Sequence, residues 1–164
     1  MQRRRSVLAA FVAGAVAGCG FELKRSPELR FRTVQLVGFT ARSPLAVELR
    51  SSIDASTTTR VVDSVAQAEV VLETLTDSRE KVVVASTSAG QVTEFQLRAR
   101  FRFRLRTISG RELIPPTEIV QSRDMSYTER AALGKEQEEA TLYRAMQTDI
   151  VSQVMRRLAS VHGV

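Results

Sequence analysis

Ten residues in the second half of the chain alternate without a break between apolar and cationic side chains: Leu97-Arg98-Ala99-Arg100-Phe101-Arg102-Phe103-Arg104-Leu105-Arg106. A period of two belongs to a β-strand and does not fit the 3.6-residue period of a helix. The run therefore predicts a long strand, read here from Gln91 to Arg106. Arg98, Arg100, Arg102, Arg104 and Arg106 share one face, and Leu97, Ala99, Phe101, Phe103 and Leu105 share the other, which must be covered by helices. Neighbouring guanidinium groups then stand about 7 Å apart, twice the rise per residue. That is inside a Debye length at physiological salt, so they repel one another unless anions lie close. Two readings stay open. The row is a solvated face neutralised by cross-strand carboxylates such as Glu69, Glu73 and Asp77, or it is a surface for phosphate or carboxylate groups, which arginine grips bidentately.

The rest of the chain supplies the layers around this strand. Phe31 to Val37 reads as a strand ended by Gly38. Ser43-Pro44 reads as an N-cap with proline in the first turn, and Leu45, Leu49 and Ile53 recur every fourth residue, so 44–54 is an amphipathic helix. Thr57 to Val62 is a short β-branched strand, and the order strand, helix, strand implies a parallel crossover. Val70 to Thr76 and Val82 to Thr87 are strand-like, with a charged interruption at Asp77–Lys81. Ser88-Ala89-Gly90 and Ser109-Gly110 are turns. Thr117 to Tyr127 is a further strand, and Pro115-Pro116, which cannot donate ladder hydrogen bonds, places its start at an edge or a bulge. In 130–160, Leu142, Met146, Ile150, Val154 and Leu158 step by four along one buried face of a helix about 45 Å long. The expected fold is α+β: a mixed sheet of four to five strands with two helices packed on one face, the other face having no cover encoded in the chain.

The N-terminus places this domain in the cell envelope. Arg3, Arg4 and Arg5 precede an apolar stretch from Val7 to Ala17, and Val16-Ala17-Gly18-Cys19 closes it. Small residues before a single cysteine fit a lipoprotein signal peptidase, so 1–18 reads as a signal peptide. Its apolar part, roughly 11 residues, falls short of the ~20 that cross a bilayer. Cys19 becomes the acylated first residue, 19–29 a lipidated tether, and 30–164 a single domain. Gly20 follows the cysteine where an aspartate would favour retention at the inner membrane, so the outer membrane is expected. Without Arg3, Arg4 and Arg5 the 24 basic residues become 21 against 18 acidic ones, a balance of +3. Cys19 is the only cysteine, so no disulfide is expected and core packing alone must hold the domain.

Signals for catalysis are weak. The one histidine, His162, lies in the C-terminal tail, and the one thiol is committed to lipid, so triads of the Ser–His–Asp or Cys–His kind lack their base. There is no glycine-rich phosphate loop and no His/Cys cluster with zinc-ligand spacing. Glu136, Glu138 and Glu139 sit where carboxylates favour a helix start. The chain is expected to be non-enzymatic, without metal or cofactor, and an exported protein is not expected to meet nucleic acid.

Several short segments, weak singly, form an ordered set: Gly18-Cys19-Gly20-Phe21 with Leu23, Ser43-Pro44-Leu45, Gly90-Gln91-Val92-Thr93-Glu94-Phe95-Gln96-Leu97, Ser122-Arg123 leading to Tyr127, and Ala132-Leu133-Gly134-Lys135-Glu136. In this order and spacing, from Cys19 to about Leu158, the chain resembles the lipopolysaccharide-assembly lipoprotein LptE family. The resemblance implies a plug inside an outer-membrane β-barrel, LptD, that helps the barrel assemble and binds lipopolysaccharide during its insertion into the outer leaflet. It implies a location at the outer membrane, facing the periplasm and within the barrel lumen. The family's lipopolysaccharide-contacting lysine matches Lys135, while a second basic position falls on Ser88 here. Lys135 and the five arginines are thus the candidate lipopolysaccharide ligands. The alternative is a free-standing envelope lipoprotein that tethers another protein to the membrane.

Overall fold

The computed structural model describes residues 28–162. The expected signal peptide, Cys19 and most of the expected tether lie outside the described residues. Strands β1 (Thr33–Val37) and β2 (Arg60–Val62) flank helix α1 (Pro44–Asp54). Three long strands follow, β3 (Val70–Ser86), β4 (Val92–Thr107) and β5 (Glu112–Ser126), and then helix α2 (Ala132–Ala159), entered through a 3-10 turn at Glu129–Ala131. The sheet order is β2-β1-β3-β4-β5. β1 is parallel to β2 and to β3, as the crossover required, and β3, β4 and β5 are antiparallel.

Local chemistry sets the helix ends. The Ser43 hydroxyl accepts from the Ala46 N–H at 3.3 Å, and Pro44 opens α1. Leu45, Leu49 and Ile53 are buried. α2 has no side-chain cap at its start, but Arg156 and Arg157 in its last turn oppose the negative end of the dipole. Met146, Ile150, Val154 and Leu158 join Leu97, Phe101, Phe103 and Leu105 of β4 in one core with the α1 leucines, so both helices cover the same face. Phe101 is its centre, stacked on Phe39 at 5.9 Å and on Phe103 at 5.4 Å.

Three expectations are corrected. Asp77–Lys81 does not interrupt a strand; β3 runs 17 residues through it. A bulge between Thr74 and Thr76 resets the alternation, and Asp77, Arg79 and Lys81 then face the helix layer. There each is satisfied: Asp77 accepts from the Ser43 hydroxyl at 3.0 Å, Arg79 donates to Gln147 Oε1 at 2.7 Å and lies over the Tyr143 ring, and Lys81 pairs with Glu139 at 2.6 Å. Second, the last strand begins at Glu112, not Thr117. The register jumps from Phe103↔Thr117 to Leu105↔Ile114, so Pro115-Pro116 form a bulge within an edge strand, where their missing N–H groups cost no ladder bond. The short strand expected from Thr57 starts at Arg60, because Thr58 and Thr59 turn their hydroxyls to the Leu29 and Phe31 carbonyls.

Candidate functional site

The alternation in β4 puts Leu97, Ala99, Phe101, Phe103 and Leu105 in the core, while the five arginines stand on the opposite, uncovered face. Pairing decides what each arginine meets. On β3 the residues across from Arg98, Arg104 and Arg106 are Glu80, Glu73 and Val71; on β5 those across from Arg98, Arg100, Arg102 and Arg106 are Ser122, Val120, Glu118 and Glu112. The arginines form a central stripe with carboxylates on both flanking strands, which explains how five can stand in line.

The neutralisation is uneven along the stripe. Arg104 binds Glu73 at 2.8 Å and approaches Glu112 at 3.8 Å, and Arg106 shares Glu73 at 3.6 Å. The hydrogen bond from Arg104 holds the Glu73 carboxyl below its usual value near 4.5; partial burial opposes this, and the charges of Arg104 and Arg106 reinforce it. Toward the β3–β4 turn the pairing thins. Arg100 has only Glu118 at 3.8 Å, and its Nε is buried without a hydrogen-bond partner. Arg98 donates to Gln96. Arg102 is exposed, and among the described residues no hydrogen bond or ion pair holds it. Exposed Val82 and Val120 share this part of the face. Three under-neutralised guanidinium groups beside exposed valines suit a ligand that is both anionic and apolar. Of the carboxylates expected to neutralise the row, only Glu73 does so. Asp77 lies on the helix side of the bulge, and Glu69 accepts from the Arg32 backbone N–H. Glu112 and Glu118 were missed. Glu118, Ser122 and Asp124 lie even steps apart on that strand's outer face, but Val120 stands among them, Thr117, Gln121 and Arg123 are polar on the other face, and the pairing depends on the proline bulge.

Lys135 lies in the first turn of α2, separate from the stripe. Its ammonium is 2.7 Å from Glu138 and 3.1 Å from the Ser126 hydroxyl, and its side chain is 18% exposed. Ser126 pairs with Glu94 at the far end of β5. By register its side chain belongs to the face of Asp124 and Ser122, so Lys135 reaches the rim of the arginine face. It is not the unengaged surface lysine that sequence alone describes.

Among the described residues, no group of three His, Cys, Asp or Glu could hold a metal ion, and no helix is long and apolar enough to cross a membrane. Burial, with Glu139 nearby, raises the Tyr143 hydroxyl above its ordinary pKa against the pull of Arg79; it stays protonated and donates to the Glu80 carbonyl.

The family model described as LptE, lipopolysaccharide-assembly, matches residues 31–158. A lipoprotein B from Nitrosomonas europaea is 30% identical, with 86% of this chain and 91% of that one superposed at a TM-score of 0.72. The rare lipoprotein B from Shewanella oneidensis (22% identity, 79% and 95% covered, TM-score 0.66) shares the fold. So does a minor lipoprotein from Acinetobacter baumannii (19%, 80% and 93%, TM-score 0.66). No curated protein matches in sequence.

Proposed function

Because this chain belongs to the LptE family of lipopolysaccharide-assembly lipoproteins, we propose that it plugs and helps assemble an outer-membrane β-barrel, LptD, and binds lipopolysaccharide on its way to the outer leaflet. Cys19 carries the lipid that holds it at the outer membrane, and the domain faces the periplasm and the barrel lumen. Families of this kind act in transport and not as catalysts.

One observation supports the reading most: a sheet face left open by its own helices, with Arg98, Arg100 and Arg102 incompletely neutralised beside Val82 and Val120. Lipid A phosphates meet guanidinium groups in bidentate geometry, and its acyl chains favour the valines. Arg104 and Arg106, tied to Glu73, hold the stripe in place. Acidic residues of a barrel wall would meet the same groups.

The test has two arms. The acylated protein should purify from detergent-solubilised outer membrane with a large β-barrel, and its depletion should leave lipopolysaccharide short of the cell surface. Arg98, Arg100 and Arg102 replaced together by Gln should weaken lipopolysaccharide binding and flatten its salt dependence. Recovery without a barrel, together with unchanged binding by the triple variant, would overturn the proposal.

A further inference from the structure

The opposite end of the sheet carries a second basic cluster, beyond Arg106 and away from the under-neutralised Arg98, Arg100 and Arg102. The chain enters through Leu29–Arg32, and this segment is clamped to the next turn: Thr58 donates to the Leu29 carbonyl at 3.1 Å, Thr59 to the Phe31 carbonyl at 2.5 Å, and the Arg60 N–H to the Arg32 carbonyl at 2.9 Å. Leu29 and Phe31 are buried, and Arg30 and Arg32 are exposed. Two adjoining clefts result. One is lined by Arg30, Arg32, Arg60 and a run of hydroxyls from Ser56 to Thr59. The other is lined by Arg30, Arg32, Arg111, Glu69 and the turn residue Ile108, which is 49% exposed.

The carboxylates in these clefts are already engaged with backbone. Glu69 accepts from the Arg32 N–H at 2.7 Å and Asp54 from the Val61 N–H at 2.9 Å. The guanidinium groups of Arg30, Arg32 and Arg60 have neither hydrogen bond nor ion pair among the described residues. Between Cys19 and Arg30 lie 11 peptide steps, a reach of at most ~40 Å. The cluster therefore stays within that distance of any lipid carried on Cys19, whereas the β3–β4 turn is about 50 Å further along the sheet.

We propose that this end of the domain docks on the anionic phospholipid headgroups of the leaflet that holds the anchor. Arg30, Arg32, Arg60 and Arg111 receive the phosphates, and Ile108 enters the interfacial region. The proposal rests on the reading that Cys19 is acylated. Docking of this kind orients the domain on the membrane surface before the barrel takes it up, with Lys135 and the under-neutralised Arg98, Arg100 and Arg102 toward the end away from the headgroups.

The test uses the mature chain with Cys19→Ala, so that no acyl chain contributes to binding; the mass of the wild-type protein reports acylation separately. Co-sedimentation is measured with vesicles of phosphatidylcholine alone and with about 30% phosphatidylglycerol, a content that gives a surface potential attracting basic groups. Binding should require the anionic lipid and should fall as salt rises from about 50 to about 300 mM. Arg30, Arg32 and Arg60 replaced together by Gln should lose about a hundredfold, roughly fivefold for each charge near the surface. Ile108→Asp, which leaves all the arginines in place, should also weaken binding. Equal binding to both vesicles, or a triple variant that sediments like its parent, would overturn the proposal. So would normal sedimentation of the triple variant with loss of barrel co-purification, which would place a protein on these clefts.

Discussion

Replacing Lys135 by Ala removes an ammonium that already has company, and its pairing sets the size of the effect. To grip a lipid phosphate, Lys135 must give up Glu138 at 2.7 Å. An i,i+3 pair of this kind on a helix contributes about 0.2–0.5 kcal/mol, while a charge-assisted hydrogen bond contributes about 1.5–3 kcal/mol. The net gain from the phosphate is therefore about 1–2.8 kcal/mol, and Lys135→Ala should weaken lipopolysaccharide binding by roughly 5- to 100-fold. Glu138→Gln should do the opposite, because it removes the competitor and keeps the shape; a gain of about twofold is expected. Both would be read as dissociation constants for purified lipopolysaccharide, with circular dichroism confirming that α2 is intact. An unchanged constant in Lys135→Ala would make the lysine a bystander. A loss in Glu138→Gln matching that in Lys135→Ala would show that the pair acts by holding the helix start to Ser126 and not by meeting lipid.

Gly38 has φ +82°, and a Cβ there would lie 2.5 Å from the Thr74 carbonyl oxygen; Gly38→Ala should cost about 2–3 kcal/mol by chemical denaturation. Gly90→Ala, at a similar φ with nothing within 4 Å, should cost only the conformational part of about 1–2 kcal/mol. Phe101→Ala removes the ring stacked between Phe39 and Phe103 and should cost about 3–5 kcal/mol, a large share of a small domain's stability. The Glu73 carboxyl is depressed below its usual 4.5, so its stabilisation is fully present above that value and is lost as pH falls through the folded value; Glu73→Gln should flatten this part of the acid-unfolding curve by on the order of 1 kcal/mol.

Where a side chain's role is fixed by its near neighbours, the sequence is enough. The β4 alternation, the Ser43-Pro44 helix start and the four-residue steps of α2 were legible because period and cap are local. The charged run at 77–81 was not. Asp77, Arg79 and Lys81 look like a solvated break until α1 and α2 bring Ser43, Gln147, Tyr143 and Glu139 against them, contacts that span 34 to 68 residues. The candidate face divides in the same way. Which residues share it follows from alternation, but which arginines stay under-neutralised depends on two bulges, at Thr74/Thr76 and at Pro115-Pro116. Lys135 carries no signal of its own; family resemblance picked it out, and only the fold shows its bond to Ser126.

The uneven strand lengths leave the molecule a hazard on its journey. β1 pairs with β3 only as far as Val37↔Glu73, so beyond that point the outer edge of a 17-residue strand has no neighbouring strand among the described residues. Such an edge is a template on which copies can stack into aggregates while no partner covers it. This edge is irregular. Register shifts at Thr74/Thr76 and at Val83/Ala85 break its line, and Arg79 and Lys81 set cations beside it. A second copy laid along it would find its hydrogen bonds out of step within a few residues and would bring like charges together. Straightening the strand by deleting Leu75 would restore the step. The same deletion would turn Asp77, Arg79 and Lys81 away from their helix partners, so a smoother edge and a disrupted fold would come from one change.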